Sequence, residues 1–355
     1  MNNAKRILIC PLDWGLGHAT RCIPIINELL KNKYTVFIAA SGRPLELLKQ
    51  EFPKLGFVKF PGYNIKYGTG RNLAFKIALQ APKILRGIKR ENKQLAAIIA
   101  KHKIDCVISD NRYGCWNKNV YSIFITHQLN VKSPLFETQL NKIVTNYIKK
   151  YNECWVPDFE DDFENLSGDL SHKFQLPENT SFIGPLSRFS YKSNSVKSID
   201  VLVMVSGPEP QRTLFQDLVL EQLEKTKLQT IVACGTPEQK IDKTIGTIRV
   251  ISHLDSKKLE QVILKSKIVI ARSGYSTIME LAKLQAKAIF IPTPGQTEQE
   301  YLAKTLMSKK IAFSQQQDDF DLEVAMQESE KYTGFTLAQE CDLLQTKIKE
   351  LKGKF

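Results

Sequence analysis

The chain lacks any apolar run long enough to cross a membrane. Nowhere in its 355 residues is there a stretch that approaches the roughly 18 uncharged apolar residues that a span needs. Residues 1–6 lead directly into a strand-like segment without the pattern of a signal peptide. The shares of hydrophobic and charged residues, 43% and 25%, are those of an ordinary globular protein. We therefore expect a cytoplasmic protein.

The sequence also has no CxxC pair among its seven cysteines. Such pairs mark zinc sites and redox motifs. Most of the cysteines lie in apolar runs, where a reduced thiol serves as a small core side chain. The acidic stretch 158–164 is predicted to be a solvated loop rather than a metal site. Neither a metal nor a bound cofactor is expected.

Negative charge is scarce in the first part of the chain. Residues 1–150 hold 25 Lys and Arg against 8 Asp and Glu, a net charge of +17, whereas residues 151–190 have a net charge of −6 and residues 191–355 of +2. A basic domain of this kind attracts phosphates, as in nucleic acids, anionic membranes or phosphorylated acceptors. Only two aromatics, Tyr67 and Phe75, lie among the basic residues of 66–103, and no nucleic-acid motif is present, so we expect no nucleic-acid partner.

Short β-branched runs alternate with longer helical stretches, which is typical of parallel sheets with crossover helices. Strands are predicted at 6–11, 35–41, 57–60, 105–109, 122–126, 153–156, 181–184, 200–205, 230–233, 248–251, 268–271 and 288–291. A helix is predicted from about residue 72 to 100, kinked or divided at Pro82 and Gly87. The pattern indicates two Rossmann-like, doubly wound α/β domains facing a cleft. They comprise residues 1–187 and 199–334, with a Ser-rich linker at 188–198 and a final segment, 335–355, whose helix packs back on the first domain.

In doubly wound sheets, ligands bind beyond the carboxyl ends of the strands. The loop at 11–22 carries Gly15 and Gly17, which permit a tight turn, but it lacks the third glycine of the dinucleotide fingerprint. His18 follows them, and an imidazole at a helix start is suited to accept a proton, although it is equally suited to cap a turn. Asp110 and His127 follow two further strands and are candidates for the same site.

Three loops of the second domain are candidates for anion and sugar binding. The loop at 271–281 offers a diphosphate cradle at a helix start, and Glu280 is placed to bind a ribose or, as the alternative, to form a capping box with Thr277. The loop at 291–303 offers polar groups for sugar hydroxyls, or an ordinary solvated first turn. The candidate residues of these loops and of the loop at 203–212 are Ser206, Gly207, Arg212, Arg272, Ser273, Gly274, Tyr275, Ser276, Thr277, Glu280, Gln296, Gln299 and Glu300.

The stretch ARSGYSTIMELAKLQAKAIFIPTPGQTEQEYLA at 271–303 is similar throughout to the donor-binding stretch of glycosyltransferase family 28, the MurG-like enzymes of the GT-B fold. The resemblance implies that Glu280 binds the ribose and Gln299 the donor sugar, with Glu300 in place of a frequent second glutamine. It extends weakly to SHLDS at 252–256, which adds His253 and Leu254 as contacts to the base. SGPEP at 206–210 departs from the glycine-rich loop of that family.

The resemblance implies an inverting, metal-independent transferase. Such an enzyme moves a sugar from a nucleotide diphosphate donor to an acceptor hydroxyl. We expect a UDP-linked donor such as UDP-N-acetylglucosamine. The nucleotide sugar is a co-substrate, and the acceptor is expected to be lipid-linked or a cell-envelope glycan. His18 becomes the general base, with Asp13, Asp110 and His127 as the other titratable groups at strand ends.

GLGHATRC at 15–22 also resembles the GxGHxxRC loop of the nucleotide-sugar hydrolases of pseudaminic acid synthesis, in which the reactive histidine lies. There water, rather than a sugar hydroxyl, is deprotonated. A nucleotide-sugar hydrolase or epimerase is therefore the first alternative. The second is a nucleic-acid-binding protein that uses the basic first domain.

Basic and apolar residues interleave between 66 and 103, as they do in interfacial helices, with Glu91 as the single acid. We expect peripheral binding to the anionic face of the cytoplasmic membrane; the alternative is that the apolar side chains pack into the domain core. The basic residues are Lys66, Arg71, Lys76, Lys83, Arg86, Lys89, Arg90, Lys93, Lys101 and Lys103.

Overall fold

Two seven-stranded sheets, one in each of two compact units, organise the chain in the computed structural model. The structure describes residues 4–63, 80–132, 137–161, 164–173, 176–190, 195–336 and 342–355. The first unit contains the described residues up to Leu186 together with those from 342 onward, and the second contains those from Ser187 to 336.

The first unit holds a sheet in which every pairing is parallel. Its strands are β1 (Arg6–Pro11), β2 (Thr35–Ala40), β3 (Gly56–Lys59), β4 (Cys106–Asp110), β5 (Tyr121–Ile125), β6 (Glu153–Val156) and β7 (Thr180–Phe182), arranged in the order β3-β2-β1-β4-β5-β6-β7. Its helices include α1 (Gly17–Lys31), α2 (Gly42–Glu51), α3 (Ala81–His102), α4 (Glu137–Ile148) and α5 (Asp169–His172).

The second unit holds a sheet that is parallel apart from one antiparallel edge strand. Its strands are β8 (Ile199–Met204), β9 (Thr230–Ala233), β10 (Asp242–Ile245), β11 (Ile248–Ile251), β12 (Ser266–Ala271), β13 (Ala288–Phe290) and β14 (Phe313–Ser314), in the order β10-β11-β9-β8-β12-β13-β14. Its helices are α6 (Gln211–Leu223), α7 (Ser256–Lys265), α8 (Tyr275–Lys283), α9 (Thr297–Ser308) and α10 (Leu322–Ser329). The last helix, α11 (Leu343–Glu350), belongs to the first unit and contacts α1.

The central strands read as continuous apolar runs because helices cover both faces of a parallel sheet. Ile7, Leu8, Ile9 and Cys10 of β1 are fully buried, and so are Val201, Leu202 and Val203 of β8. Burial of about 25 cal/mol per Å² of apolar surface is the main stabilising contribution of such strands. The six cysteines among the described residues are free and buried, in agreement with their predicted core role.

Each sheet has a point at which the chain order reverses. β1 lies between β2 and β4, and β8 lies between β9 and β12. In open α/β sheets the crevice outside the carboxyl ends of the strands at this point is the usual ligand site. The loops after β1 and β4 in the first unit, and after β8 and β12 in the second, are therefore the places where a site is expected.

The predicted α/β class with two doubly wound sheets is confirmed, and each predicted strand overlaps an observed one. The sequence analysis missed β10 and β14. All four residues of β10 are exposed, so it has no buried face to produce a pattern, and Gly246 with φ +57° forms its turn into β11. β14 has only two residues, too few for any periodicity.

The predicted helix at 72–100 is observed as α3, whose first turn contains Pro82, while residues 64–79 lie outside the described residues. The predicted division at Gly87 is wrong, because the helix continues through it. Gly87 allows the ring of Tyr63 to pack closely against the helix, because a Cβ at this position would lie 2.9 Å from Cδ1 of Tyr63. In the part of the chain that the structure describes, no helix is both long and apolar enough to cross a membrane.

The acidic stretch 158–164 is not simply solvated, which corrects the sequence expectation. Asp158 is fully buried, and its carboxylate accepts hydrogen bonds from the backbone N–H groups of Leu166 and Ser167, both at 2.9 Å. Residues 162 and 163 lie outside the described residues. A buried carboxylate that accepts main-chain N–H groups closes the loop after β6.

Candidate active site

The loop after β1 brings His18 to the start of α1. Gly15 turns the chain there with a φ of +98°, in the left-handed region that favours glycine. His18 is the second residue of the helix, and 17% of its side chain is exposed, so a ligand can reach it. Its Nδ1 lies 2.8 Å from Oδ1 of Asp110. The ring is thus paired with a neighbouring strand rather than committed to capping its own turn.

Asp110 reaches His18 because β4 lies beside β1. Parallel pairing sets Asp110 opposite Pro11, and the N–H of Leu12 donates to the Asp110 carbonyl at 3.0 Å. The Asp110 side chain is fully buried, and the Arg21 guanidinium donates to both of its oxygens. Burial by itself raises the pKa of Asp110, but the charges of Arg21 and His18 outweigh it and lower the pKa to about 2. Asp110 is therefore an anion at neutral pH.

The charge on Asp110 determines which nitrogen of His18 carries the proton. An ionised carboxylate only accepts hydrogen bonds, so the proton between Asp110 Oδ1 and His18 Nδ1 belongs to Nδ1. Nε2 of a neutral His18 then has a free lone pair and can accept a proton. A carboxylate that orients an imidazole in this way is the arrangement of the catalytic Asp-His pair in serine proteases.

His127 lies in the same cluster, behind β5. It is buried, its Nδ1 is 2.9 Å from Nη1 of Arg21, and its carbonyl accepts a hydrogen bond from Ser171 Oγ at 2.7 Å. The three residues predicted as catalytic, His18, Asp110 and His127, therefore all meet around Arg21.

Asp13, the other titratable group predicted at this edge, holds three strand-end loops together. Its Oδ2 accepts hydrogen bonds from Ser41 Oγ, after β2, and from the N–H of Gly62, after β3, both at 3.1 Å. A Cβ at Gly62 would lie 2.2 Å from Asp13 Oδ1, so only glycine permits this approach. The contacts of Asp13 stabilise the loop that carries His18.

In the second unit, the loop after β8 contains Ser206, Gly207 and Arg212. Gly207 has a φ of +110° and turns the chain away from the strand. Arg212, at the start of α6, donates to Glu209 Oε1 through Nε at 2.7 Å and to the carbonyl of Cys234 at 3.2 Å. Burial raises the pKa of Glu209, but Thr213 and Arg212 outweigh it, and the pKa is lowered. Arg212 thus has a carboxylate partner of its own in this structure.

Arg272 braces the loops after β12 and β13. It is buried, and its guanidinium donates to the carbonyls of Ile291 at 2.9 Å, Pro292 at 3.1 Å and Gln211 at 3.1 Å. Burial lowers its pKa to about 9. Ser273 Oγ donates to the carbonyl of Gln299 at 2.8 Å. These hydrogen bonds join the loop after β12 to the segments that begin at Ile291 and Gln299 and to the start of α6.

The helix start after Ser273 has no side-chain cap. α8 begins at Tyr275 with Gly274 as its N-cap, and no side chain caps it. Tyr275 is buried, whereas Ser276 and Thr277 are half-buried in the first turn. The N-cap position also excludes a capping box between Thr277 and Glu280, because Thr277 lies inside the helix. The N–H groups of the first turn point out of the start of the helix, which is the arrangement that binds phosphates at helix N-termini.

Glu280 is buried one turn further on and is held by an arginine. Arg188 Nε lies 2.8 Å from Glu280 Oε1, with only 5% and 6% of the two side chains exposed. Arg188 also donates to Ser256 Oγ, at the start of α7, at 3.2 Å. Glu280, the residue predicted to bind the ribose, thus belongs to a buried ion pair. Its partner, Arg188, lies in the segment predicted as the linker.

Gln299 and Glu300 each close the loop after β13. Gln299 Oε1 accepts from the N–H of Thr293 at 2.8 Å, and Glu300 Oε1 accepts from the N–H of Gly295 at 2.9 Å. Gln299 Nε2 lies 3.9 Å from where a Cβ of Gly274 would be, so its amide borders the start of α8. Gln296 is the N-cap of α9 and is half-buried.

The loop after β11 carries His253 and Leu254. Leu254 is buried and His253 half-buried, and Asp255 caps α7 by accepting the N–H of Lys258 at 2.9 Å. Among the described residues, no group of three or more His, Cys, Asp and Glu side chains is placed to hold a metal ion.

Two residues central to these clusters were not identified by the sequence analysis. Arg21 follows His18 by three positions, a spacing that puts both on one face of a helix, and this was a usable signal. Arg188 had no local signal, because its partner is 92 positions away in the chain.

Family models match both units. Residues 203–336 match the glycosyltransferase family 28 C-terminal domain, and residues 5–123 match glycosyl transferase family 1. The first range contains the loops after β8, β12 and β13, and the second contains His18 and Asp110.

Relatives and solved structures with similar chains are also glycosyltransferases. A UDP-N-acetylglucosamine--N-acetylmuramyl-(pentapeptide) pyrophosphoryl-undecaprenol N-acetylglucosamine transferase of Haemophilus influenzae is 26% identical over 94% of this chain and 92% of its own. A glycosyltransferase of Methanosarcina acetivorans is 22% identical over 83% and 81%. Acinetobacter baumannii MurG has a TM-score of 0.57 at 11% identity, covering 99% of both chains, and the spinosyn rhamnosyltransferase SpnG has 0.65 at 12%, covering 97% and 95%.

Proposed function

Because this chain is a GT-B glycosyltransferase of family 28, we propose that it transfers a sugar with inversion from a UDP-linked donor, such as UDP-N-acetylglucosamine, to an acceptor hydroxyl. The H. influenzae relative is named for transfer from that donor. The family match in the second unit and the His-Asp pair in the first support the proposal. The family match gives no support to the hydrolase or nucleic-acid-binding alternatives.

The observation that carries the proposal is the His18–Asp110 hydrogen bond at the reversal point of the first sheet. His18 Nε2 removes the proton of the acceptor hydroxyl as its oxygen bonds to C1 of the donor sugar. The bond from C1 to the diphosphate breaks in the same displacement, and UDP leaves with the electron pair. One displacement inverts the configuration at C1, and Asp110 stabilises the imidazolium that forms.

On the donor side, the charge of the leaving diphosphate is stabilised by the first turn of α8. The N–H groups of this turn and the hydroxyls of Ser276 and Thr277 supply the hydrogen-bond donors in this proposal. Glu280 binds the ribose and Gln299 the sugar, while His253 and Leu254 flank the base. In this proposal no metal ion is needed, because the helix start and its hydroxyls take the place of a cation.

Release of UDP from UDP-N-acetylglucosamine, measured with and without polyprenyl-diphosphate saccharides as acceptors, tests the proposal. Acceptor-dependent release, an inverted anomeric centre in the product and a rate unchanged by EDTA are expected. Fast release without any acceptor would instead identify a hydrolase. A thermal-shift screen of UDP, GDP, dTDP and CMP identifies the nucleotide, because a ligand that binds only the folded protein raises its stability.

Glu280→Gln is expected to weaken UDP binding by about ten- to a hundredfold. The amide keeps the size of the side chain but removes the charged acceptor of a ribose hydroxyl, and such a hydrogen bond contributes about 1.5–3 kcal/mol. The variant also leaves Arg188 buried without its carboxylate, so its melting temperature falls. Calorimetry with UDP and with 2′-deoxy-UDP measures the effect, and the preference for UDP should disappear in the variant.

Arg188→Gln is the matched control for Glu280→Gln, because it breaks the same ion pair and leaves the carboxylate in place. It should lower the melting temperature similarly but retain the preference for UDP over 2′-deoxy-UDP. If both variants keep that preference, Glu280 has only a structural role.

We further propose that the first unit binds an anionic membrane surface in order to reach a lipid-linked acceptor. The exposed basic residues of α3 are Lys83, Arg86, Lys89, Arg90, Lys93 and Lys101. Three large apolar side chains are also exposed: Leu85 of α3 (45% exposed), and Leu140 (37%) and Ile143 (49%) of α4. Ile84 and Ile88 of α3 and Tyr147 of α4 belong to one apolar cluster, so both helices border the same part of the core.

The apolar residues of α3 are divided between two roles. Ile88 and Leu95 pack in the core, as the alternative reading expected, and Glu91 is buried in an ion pair with Arg112. Leu85 remains exposed among the basic side chains. Lys66, Arg71 and Lys76 lie outside the described residues.

Lys89→Glu combined with Lys93→Glu is expected to lower binding to anionic vesicles by more than about tenfold, since each basic residue near such a surface contributes about 1 kcal/mol. Flotation with anionic and neutral vesicles at low and high salt measures it. Lys304→Glu combined with Lys309→Glu makes the same charge change on exposed positions of the second unit and should have little effect. Equal flotation with neutral vesicles would contradict membrane binding.

A further inference from the structure

Arg21 contacts Asp110, His18 and His127, the three residues predicted as catalytic. It is 2% exposed, and it donates to both oxygens of Asp110 through Nε and Nη2. The same Nη2 lies 2.9 Å from His18 Nδ1, and Nη1 lies 2.9 Å from His127 Nδ1. One guanidinium therefore joins a carboxylate and two imidazoles that come from β4, α1 and the end of β5.

The guanidinium has opposite consequences for the two histidines. It has N–H donors and no acceptor, so the contact with His127 requires a lone pair on His127 Nδ1 and a proton on its Nε2. At His18 the anionic Asp110 Oδ1 is a shared acceptor: Nη2–H and Nδ1–H can both donate to this oxygen, which accepts more than one hydrogen bond and is a stronger acceptor than a neutral imidazole nitrogen. His18 Nδ1 therefore keeps its own proton and donates it to Asp110.

We propose that Arg21 is the positioning residue that holds His18 and His127 in opposite tautomers, so that of the two only His18 accepts a proton at Nε2. His127 presents Nε2–H and acts as a hydrogen-bond donor, not as a base. The assignment rests on the proposed function for its catalytic meaning, because it selects between the two histidines of the cluster. Lysine cannot replace Arg21, since one ammonium group lacks the planar fork that meets Asp110 and His127 together.

A second buried arginine of the same unit shows what a purely structural guanidinium looks like here. Arg112 is fully buried, donates to Glu91 Oε1 at 2.6 Å, and donates to the carbonyls of Phe60 at 3.1 Å and Pro61 at 3.0 Å. It braces α3 against the loop after β3 and contacts no imidazole within the described residues. Arg21, in contrast, contacts two titratable rings.

Ring ¹⁵N chemical shifts of the full chain test the tautomers directly. The chain has five histidines, few enough to assign by single substitutions. At about pH 8, above the usual range of imidazole titration, His18 is expected to be protonated at Nδ1 and His127 at Nε2. The same tautomer in both rings, or Nε2–H at His18, would overturn the proposal without any variant being needed.

Arg21→Lys and Arg21→Met supply the second measurement. Both are expected to remove the Nε2–H preference of His127 and to lower kcat by about 10²-fold, the cost of a misplaced catalytic group, while the KM for the donor stays within about twofold. Glu91→Gln is the matched control, because it breaks the other buried ion pair of this unit. It should reduce thermal stability but leave both ring tautomers unchanged.

The outcomes separate this proposal from the proposed function. Unchanged ring shifts in the Arg21 variants, or equal changes in Glu91→Gln, would show that Arg21 has only a structural role. If instead the tautomers are as expected but His18→Ala remains active, the base has been wrongly assigned while the positioning by Arg21 stands.

Discussion

Replacing His18 with alanine lowers kcat by about 10² to 10⁴-fold, the usual contribution of a general base. The loss follows from the proposed mechanism, in which His18 Nε2 accepts the proton; Asp110 holds the ring by its Nδ1, and 17% of the His18 side chain is exposed. The Kd for UDP should be nearly unchanged, because the proposed donor contacts all lie in the second unit. Steady-state kinetics with acceptor and calorimetry with UDP measure the two quantities.

His102→Ala is the control for loss of an imidazole in the same unit. His102 ends α3, packs against the ring of Phe37, and its carbonyl accepts from Arg6. A small loss of stability and normal turnover are expected. The kcat of His18→Ala could instead stay within about threefold of that of the parent, a difference of less than about 1 kcal/mol in activation free energy. That result would assign the role of general base to Asp13.

Asp110→Asn is expected to reduce both stability and activity more than any other single change in this cluster. An amide leaves the buried Arg21 without an anion, which costs about 3–5 kcal/mol and lowers the melting temperature by roughly 10 °C. It also removes the acceptor that keeps the proton on His18 Nδ1. Loss of the correct tautomer in a serine protease costs about 10⁴-fold in kcat, which sets the scale of the effect.

The pH dependence of stability gives an independent measure of Asp110. Its folded pKa of about 2 lies below its ordinary value of 3.8, so its contribution is present above pH 4 and is lost as the pH falls toward 2. The difference in free energy of unfolding between the parent and Asp110→Asn should therefore shrink over that interval. Urea titrations at several pH values measure it.

Asp105→Asn is the matched control. Asp105 lies just before the first residue of β4, whereas Asp110 is its last, and Asp105 pairs with Lys5 near the surface. Its stability difference should be small at neutral pH. If Asp110→Asn behaves like Asp105→Asn, the ion pair with Arg21 does not stabilise the fold.

The strands and their order along the chain could be read from the sequence because a buried parallel strand carries a local pattern. SKIVIA in β12 and RILICP in β1 are short apolar runs followed by turn residues. The residues at their ends, His18 and Gly274 among them, were recognised for the same reason. β10 escaped recognition because its residues are all exposed and its pairing with β11 produces no apolar face.

The partners of the predicted residues could not be read in this way. Glu280 was assigned to a ribose or to a capping box, whereas the structure pairs it with Arg188. Arg212, one of the candidates for anion binding, is paired with Glu209, and Arg272 donates to main-chain carbonyls. A side chain's type predicts what it can bind, but its neighbours depend on which loops the sheet brings together.

The sequence by itself determined which chemical groups stand at the ends of strands, because that depends on residues a few positions apart. Only the tertiary structure decided which of them meet. His18 and Asp110 are 92 positions apart, and they are joined because β1 and β4 are neighbours in the sheet. Strand order results from burial of both sheet faces under the crossover helices, a property of the whole unit that no local pattern contains.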